Sequence, residues 1–300
     1  MRPPRSRRCE TAAHSAMTNS LRRVRSALFT PGNEAARLRK AVTSGADVCI
    51  FDLEDSVPVG RIHQAREIVR EAIEELAGSA RIWLRVHPAS SHEMAEDLRT
   101  VPLSMLEAVV LPKASHRDDV ETCRRAMMQA PVPAELPIVP IVESAAGVLS
   151  CAAIAEARGV TCLALGRFDL AADLGIDPDG TSAALAMARG SVVLVSTAVR
   201  LDPPLDSPWL KITDLDGLRG AAARARADGF GGMLVIHPSH VTTVNEVFSP
   251  TAKELDWAQG IVASSAEAQS GGRGAYARDG EMVDEAIVKR ARAILRDAQP

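Results

Sequence analysis

Charged and Gly/Pro residues recur at the downstream ends of short apolar runs in this chain. Val48-Cys49-Ile50-Phe51 leads into Asp52, Glu54 and Asp55, and Ile82-Trp83-Leu84 into Arg85 and His87. Val109-Val110-Leu111 leads into Pro112-Lys113, Ile138 to Val142 into Glu143, and Cys162-Leu163-Ala164-Leu165 into Gly166, Arg167 and Asp169. Magnesium takes octahedral oxygen ligands, needs few protein carboxylates and keeps positions open for substrate and water. Glu143 and Asp169 are a candidate pair for such an ion. An isolated strand-end acid is more often a helix N-cap or a loop salt bridge, so the case rests on their occurring together. Arg85 can fork onto a carboxylate or stabilise an oxygen that becomes an enolate. A structural ion pair of Arg85 with Glu54 or Asp55 is the competing role, and the two are compatible. At least one of Glu54 and Asp55 is expected to order Arg85 or a metal-coordinated water, with Asp52 structural. Lys113 has the residue type for a Schiff base, but the metal pair argues against that chemistry and leaves a rim salt bridge.

Each apolar run is followed by a helical pattern, which is how buried parallel strands read. Strands are expected at Ser26–Thr30, up to Asp52, Arg81–Val86, Ala108–Leu111, before Glu143, Thr161–Leu165, within Asp202–Pro208 and at Met233–Ile236. The seventh is weakened by its prolines. Helices are expected near Arg61–Leu76, Asp118–Met128, Ala145–Ala157, Ser182–Val199, Leu215–Ala227 and Pro250–Ser264, with a last one near Val283–Arg296. Eight strands alternating with helices predict a (β/α)8 TIM-type barrel, whose C-terminal rim is where such barrels do chemistry. The reading divides the chain into a disordered arm at 1–22, a barrel at 23–265 and a C-terminal helical extension at 266–300. Gly271, Gly272 and Gly274 form the joint, and Tyr276, Met282 and Ile287 supply apolar anchors that a solvated tail would not need.

Composition excludes more than it assigns. Lys and Arg total 35 against 38 Asp and Glu, a formal charge of −3, so nothing calls for nucleic acid or an anionic membrane. No apolar stretch approaches the roughly 18 residues of a membrane span. Five scattered cysteines without a C-x-x-C pair read as reduced thiols in a cytoplasmic protein. The arginine-rich start is a disordered arm, an extension upstream of a natural start at Met17, or a targeting leader. His63, His92, His116 and His240 lack metal-ligand spacing and read as surface residues.

The ordered set Arg25 to Asn33, Asp52-Leu53-Glu54-Asp55-Ser56-Val57, Arg85-Val86-His87-Pro88, Leu111-Pro112-Lys113, Glu143-Ser144-Ala145, Gly166 to Leu170 and Ile236-His237-Pro238 resembles the citrate lyase beta-subunit-like branch of the HpcH/HpaI aldolase superfamily. The likeness is collinear from about Arg25 to Leu295. It implies a TIM-type barrel, magnesium (or manganese in its place), and reversible cleavage of malyl-, citramalyl- or citryl-type thioesters to a 2-oxo acid and an acyl thioester. It further implies Glu143 and Asp169 as metal ligands, Arg85 as a substrate contact, Phe29 and Lys40 as acyl-CoA or substrate contacts, and Ile236-His237 as a thioester-contacting segment. Asp284 matches an acid that the family's C-terminal segment can bring over a neighbouring subunit's site, in a homotrimer or homohexamer; a helix-terminal role is its alternative. Two departures stand out. Glu34 occupies a position where some relatives carry arginine, which points to a different thioester grip or acyl carrier, and His87 replaces a common asparagine. The alternatives are a metal aldolase on free 4-hydroxy-2-oxo acids and a non-catalytic barrel subunit of a larger complex.

Overall fold

The computed structural model describes residues 21–130, 136–270, 275–278 and 280–298. Eight strands close a parallel barrel in sequence order: β1 (Ser26–Pro31), β2 (Val48–Asp52), β3 (Ile82–Arg85), β4 (Ala108–Leu111), β5 (Ile138–Val142), β6 (Ala164–Leu165), β7 (Leu205–Asp206) and β8 (Gly232–Val235), with β8 paired back onto β1. The (β/α)8 TIM-type barrel read from the sequence is therefore the fold.

Alternation along the strands divides the core in two, because successive side chains face opposite ways. Ala27, Ile50, Trp83, Val110, Val139, Ile141 and Leu234 fill the barrel interior. Leu28, Phe51, Leu84, Val109 and Val142 face outward against helical residues such as Val69, Ile73, Leu98 and Val120. Register carries this alternation to the strand ends, pairing Pro31 with Asp52 and Asp52 with Arg85. Phe29, Asp52 and Arg85 thus share the interior parity at the C-terminal rim.

Several elements are shorter or different from the sequence pattern. Strands six and seven shrink to two residues each, although Asp202 N–H still donates to Thr161 O (2.9 Å) and Leu205 N–H to Leu163 O (2.9 Å). Pro203 and Pro204 have no N–H to continue the ladder. The expected helix Ala145–Ala157 is two short helices, Ala145–Leu149 and Cys151–Ala155, meeting at Ser150. A helix that the sequence pattern did not show, Arg167–Leu174, starts directly after β6, so Asp169 sits in a first helical turn and not at a strand tip. The helix Ala252–Ser270 runs past residue 265.

After it come a hairpin of β9 (Tyr276–Arg278) and β10 (Glu281–Val283) and the helix Glu285–Asp297. Gly271, Gly272 and Gly274 lie outside the described residues, as do residues 1–20, which include Met17, Cys9 and the N-terminal arginines. Tyr276 and Ile287 pack with Trp257, Ile261 and Val288 of their own chain, whereas Met282 is exposed. Arg23 donates to the carbonyls of Phe248 and Asp297, fastening the last helix beside the segment that enters β1. Among the described residues no helix is long and apolar enough to cross a membrane.

Candidate active site at the C-terminal rim of the barrel

Arg85 is the centre of the rim. Its Nε and one terminal nitrogen each lie 2.6 Å from an oxygen of Asp52, a bidentate fork. The other terminal nitrogen is 3.1 Å from Glu54 Oε2, and the guanidinium stacks 4.4 Å over the Phe29 ring. Both the cation and its carboxylates are nearly removed from water: side-chain exposure is 13% for Arg85, 1% for Asp52 and 4% for Glu54. Burial pushes the Asp52 carboxyl up, but the Arg85 charge and fork, with hydrogen bonds from Ser56 and the Glu54 amide, outweigh it and hold it below the ordinary carboxylate range. The sequence pointed to Glu54 or Asp55 as the ion-pair partner of Arg85 and to Asp52 as structural; the fork instead goes to Asp52, which presents Arg85 in one orientation, with Glu54 as the second acid.

Lys113 follows β4 and joins the same network. Its Nζ lies 2.5 Å from Glu54 Oε1 and 3.1 Å from Asp55 Oδ1. Burial alone would lower its pKa, but those two carboxylates raise it, so the amine stays protonated. A protonated amine has no lone pair to attack a carbonyl, which agrees with a rim salt bridge and not a Schiff base.

Glu143 follows β5 and is 7% exposed. One of its oxygens accepts the Lys113 amide at 2.6 Å. Burial, together with the charges of Asp169 and Glu54, pushes its carboxyl up to about 8. Three acids therefore crowd one edge of the rim, and among the described residues no side-chain cation hydrogen-bonds to Glu143. A hard divalent cation fits that electrostatic deficit and that oxygen-only donor set. Glu143 and Asp169 would hold it as a pair, since no group of three or more His, Cys, Asp or Glu gathers as a metal cage among the described residues.

Gly166 belongs to the site through what it lacks, a Cβ. A Cβ there would lie 2.4 Å from Glu143 Oε2 and 2.5 Å from Glu143 Cβ. Only glycine leaves room for the carboxylate, and nothing local in the sequence signals it, because the clash is between neighbouring strands.

The remaining candidates separate. Ile236 and His237 directly follow β8, and His237 Nδ1 is 2.7 Å from Ser239 Oγ as it caps the short turn Pro238–His240. Lys40 is exposed in the helix Ala35–Ala41, while Arg37, 2.7 Å from Glu34, is drawn into a local pair. His87 is held through Nδ1 and its amide by buried Asp97, which also takes Arg66. His63, His92 and His116 are exposed as expected, but His240 is buried, with Nε2 3.0 Å from Ile212 O. Asp284 caps the helix Glu285–Asp297 by accepting the Ile287 amide at 3.1 Å, and among the described residues it makes no hydrogen bond or ion pair with the rim cluster. A cavity of about 970 Å³ opens at the opposite end of the barrel, around Arg23, Cys162, Pro203 and Phe248. It contains none of the rim carboxylates, so the chemistry is assigned to the rim.

The chain is 31% identical over 276 residues to a (3S)-malyl-CoA thioesterase of Cereibacter sphaeroides, covering 92% of this chain and 94% of that protein. It is 28% identical to the mitochondrial citramalyl-CoA lyase of Mus musculus, covering 90% and 85%. Its fold superposes with a TM-score of 0.76, at 30% identity and covering 92% and 98%, on CitE from Mycobacterium tuberculosis solved with magnesium, acetoacetate and coenzyme A. The HpcH/HpaI aldolase/citrate lyase pattern matches residues 25–238, a span that includes Arg85, Glu143, Asp169 and His237, and the chain belongs to that family.

Proposed function

We propose that this chain is a magnesium-dependent carbon–carbon lyase that cleaves a 3-hydroxyacyl thioester of the malyl-, citramalyl- or citryl-CoA type to a 2-oxo acid and an acyl thioester. The observation that carries the reading is the juxtaposition of Glu143 and Asp169 with Arg85 on one rim. Magnesium held there by Glu143 and Asp169 would supply Lewis acidity toward the hydroxyl of the 2-hydroxy acid. Arg85, oriented by Asp52 and Glu54, stabilises negative charge as the thioester becomes an enolate. In balance, the hydroxyl proton leaves, the carbon–carbon bond breaks, its electron pair enters the enolate, and a proton at the enolate carbon completes the acyl thioester. Phe29, Ile236 and His237 line the approach for the thioester, and Lys40, which has no ion pair among the described residues, is a cation for its anionic tail. The Glu34–Arg37 pair leaves that grip weaker than a pair of cations would.

Activity is tested with purified protein on a panel of malyl-, citramalyl- and citryl-thioesters and 4-hydroxy-2-oxo acids, following both 2-oxo acid and free thiol. Release of a 2-oxo acid from a thioester supports the reading. Turnover of free 4-hydroxy-2-oxo acids alone selects the metal aldolase, and thiol release without 2-oxo acid shows hydrolysis. Reduced, unpaired Cys49, Cys123, Cys151 and Cys162 accord with a cytoplasmic setting.

Gly166→Ala should push the Glu143 carboxylate aside and weaken Mg²⁺ binding about tenfold, measured by calorimetric titration. Unchanged affinity would separate Glu143 from the metal.

Residues 266–300 are read as an extension that presents Asp284 to a neighbouring subunit of a trimer or hexamer, where it moves the proton at the enolate carbon. Inactive Arg85→Ala and Asp284→Ala chains, co-assembled, should then regain activity, because some mixed sites receive both intact residues. No recovery after confirmed subunit exchange would leave Asp284 as a helix cap only.

A further inference from the structure

Lys113 serves the two halves of the rim separately, one through its backbone and the other through its side chain. It sits at φ 54°, a left-handed conformation that lysine holds only when its surroundings over-determine it. In that conformation its amide reaches Glu143 at 2.6 Å while its Nζ reaches back to Glu54 at 2.5 Å. Glu54 in turn faces the only terminal nitrogen of Arg85 that is not in the fork with Asp52.

The position of Lys113 decides how Arg85 can be used. Glu54 is a buried carboxylate, and a buried carboxylate with one cation partner binds it tightly. Without Lys113 the cation left beside Glu54 among the described residues would be that nitrogen of Arg85, which already stands 3.1 Å from Glu54 Oε2 and is the donor a substrate oxygen needs. We propose that Lys113 is a positioning residue that couples the two halves: its ammonium takes up Glu54 so that Arg85 stays available to substrate, while its amide fixes the carboxylate of Glu143. The inference rests on the lyase reading for its catalytic consequence, but substrate binding tests it without turnover.

Side-chain removal keeps the amide, so the two roles separate. Lys113→Ala and the length-matched Lys113→Met should retain Mg²⁺ affinity within about twofold, yet lose on the order of fiftyfold in Mg²⁺-dependent pyruvate affinity and in kcat. Because the Lys113 side chain is 44% exposed, propylamine can enter the space left by alanine. Propylamine should restore at least severalfold pyruvate binding to Lys113→Ala and nothing to Lys113→Met, where the thioether fills the space. Lys113→Arg should keep most of the function. Wild-type pyruvate affinity in Lys113→Met would overturn the proposal, as would a loss in Lys113→Ala that propylamine does not restore or that is matched by equal loss of Mg²⁺ binding. A wild-type protein that binds Mg²⁺ and pyruvate but cleaves no thioester would sink the lyase reading, while the binding comparison would still decide the role of Lys113.

Discussion

Glu143→Gln and Asp169→Asn are expected to lower Mg²⁺ affinity by about two orders of magnitude, because each would remove one of the two acids proposed to hold the ion, while the third acid nearby, Glu54, is engaged by Arg85 and Lys113. The fold should survive, since rim residues contribute little to the barrel core. Calorimetric Mg²⁺ titration with and without pyruvate measures the effect, and unchanged affinity in both conditions would remove the metal assignment. The raised pKa of Glu143 adds a pH signature. In the metal-free protein the folded carboxyl holds its proton to about pH 8, whereas its ordinary value is 4.5. The folded state therefore binds the extra proton between these values, and stability falls as pH rises through that window. Thermal melts of the wild type should show this slope, and Mg²⁺ or Glu143→Gln should flatten it. Apparent Mg²⁺ affinity should increase up to about pH 8, with proton release on binding at neutral pH. A flat melting profile for metal-free wild type would show that Glu143 is not held protonated.

Arg85→Lys is expected to reduce kcat by on the order of a hundredfold with Mg²⁺ affinity preserved. Lysine keeps the charge, but it cannot fork onto both oxygens of Asp52 and present a further donor at the same time. The stacking on Phe29 also depends on a planar guanidinium. Steady-state kinetics on the best thioester of the panel, beside the magnesium titration, checks the result. Near-normal turnover would reduce Arg85 to an ion pair that supports the rim.

Periodicity determined the barrel from the sequence alone. Buried parallel strands are short apolar runs punctuated by helical pattern, and a charge at the end of such a run must lie on the rim, so Asp52, Arg85 and Glu143 were legible as neighbours of one surface. The ordered motifs made the family, and with it the class of chemistry, legible as well. Strands six and seven were legible as places but not as lengths, because Pro203 and Pro204 break the ladder while flanking amides still bond across it. The helix Arg167–Leu174 was hidden because it is only 8 residues long and its first turn, with Arg167 and Asp169, reads as the charged end of the β6 run.

Tertiary structure decided which rim residue touches which. Asp52, Glu54 and Asp55 look interchangeable in a line of sequence, yet Asp52 takes the Arg85 fork, Glu54 lies between Arg85 and Lys113, and Asp55 meets only Lys113 among these cations. Strand register sets that division: pairing Asp52 with Arg85 brings their side chains to the same height inside the barrel. The same closure of the barrel makes Gly166 indispensable to the place of Glu143 and turns His240 inward from a position that has no apolar periodicity to announce it. Such contacts join residues far apart in the chain, and their distances follow from strand pairing and helix packing together, so no local pattern encodes them.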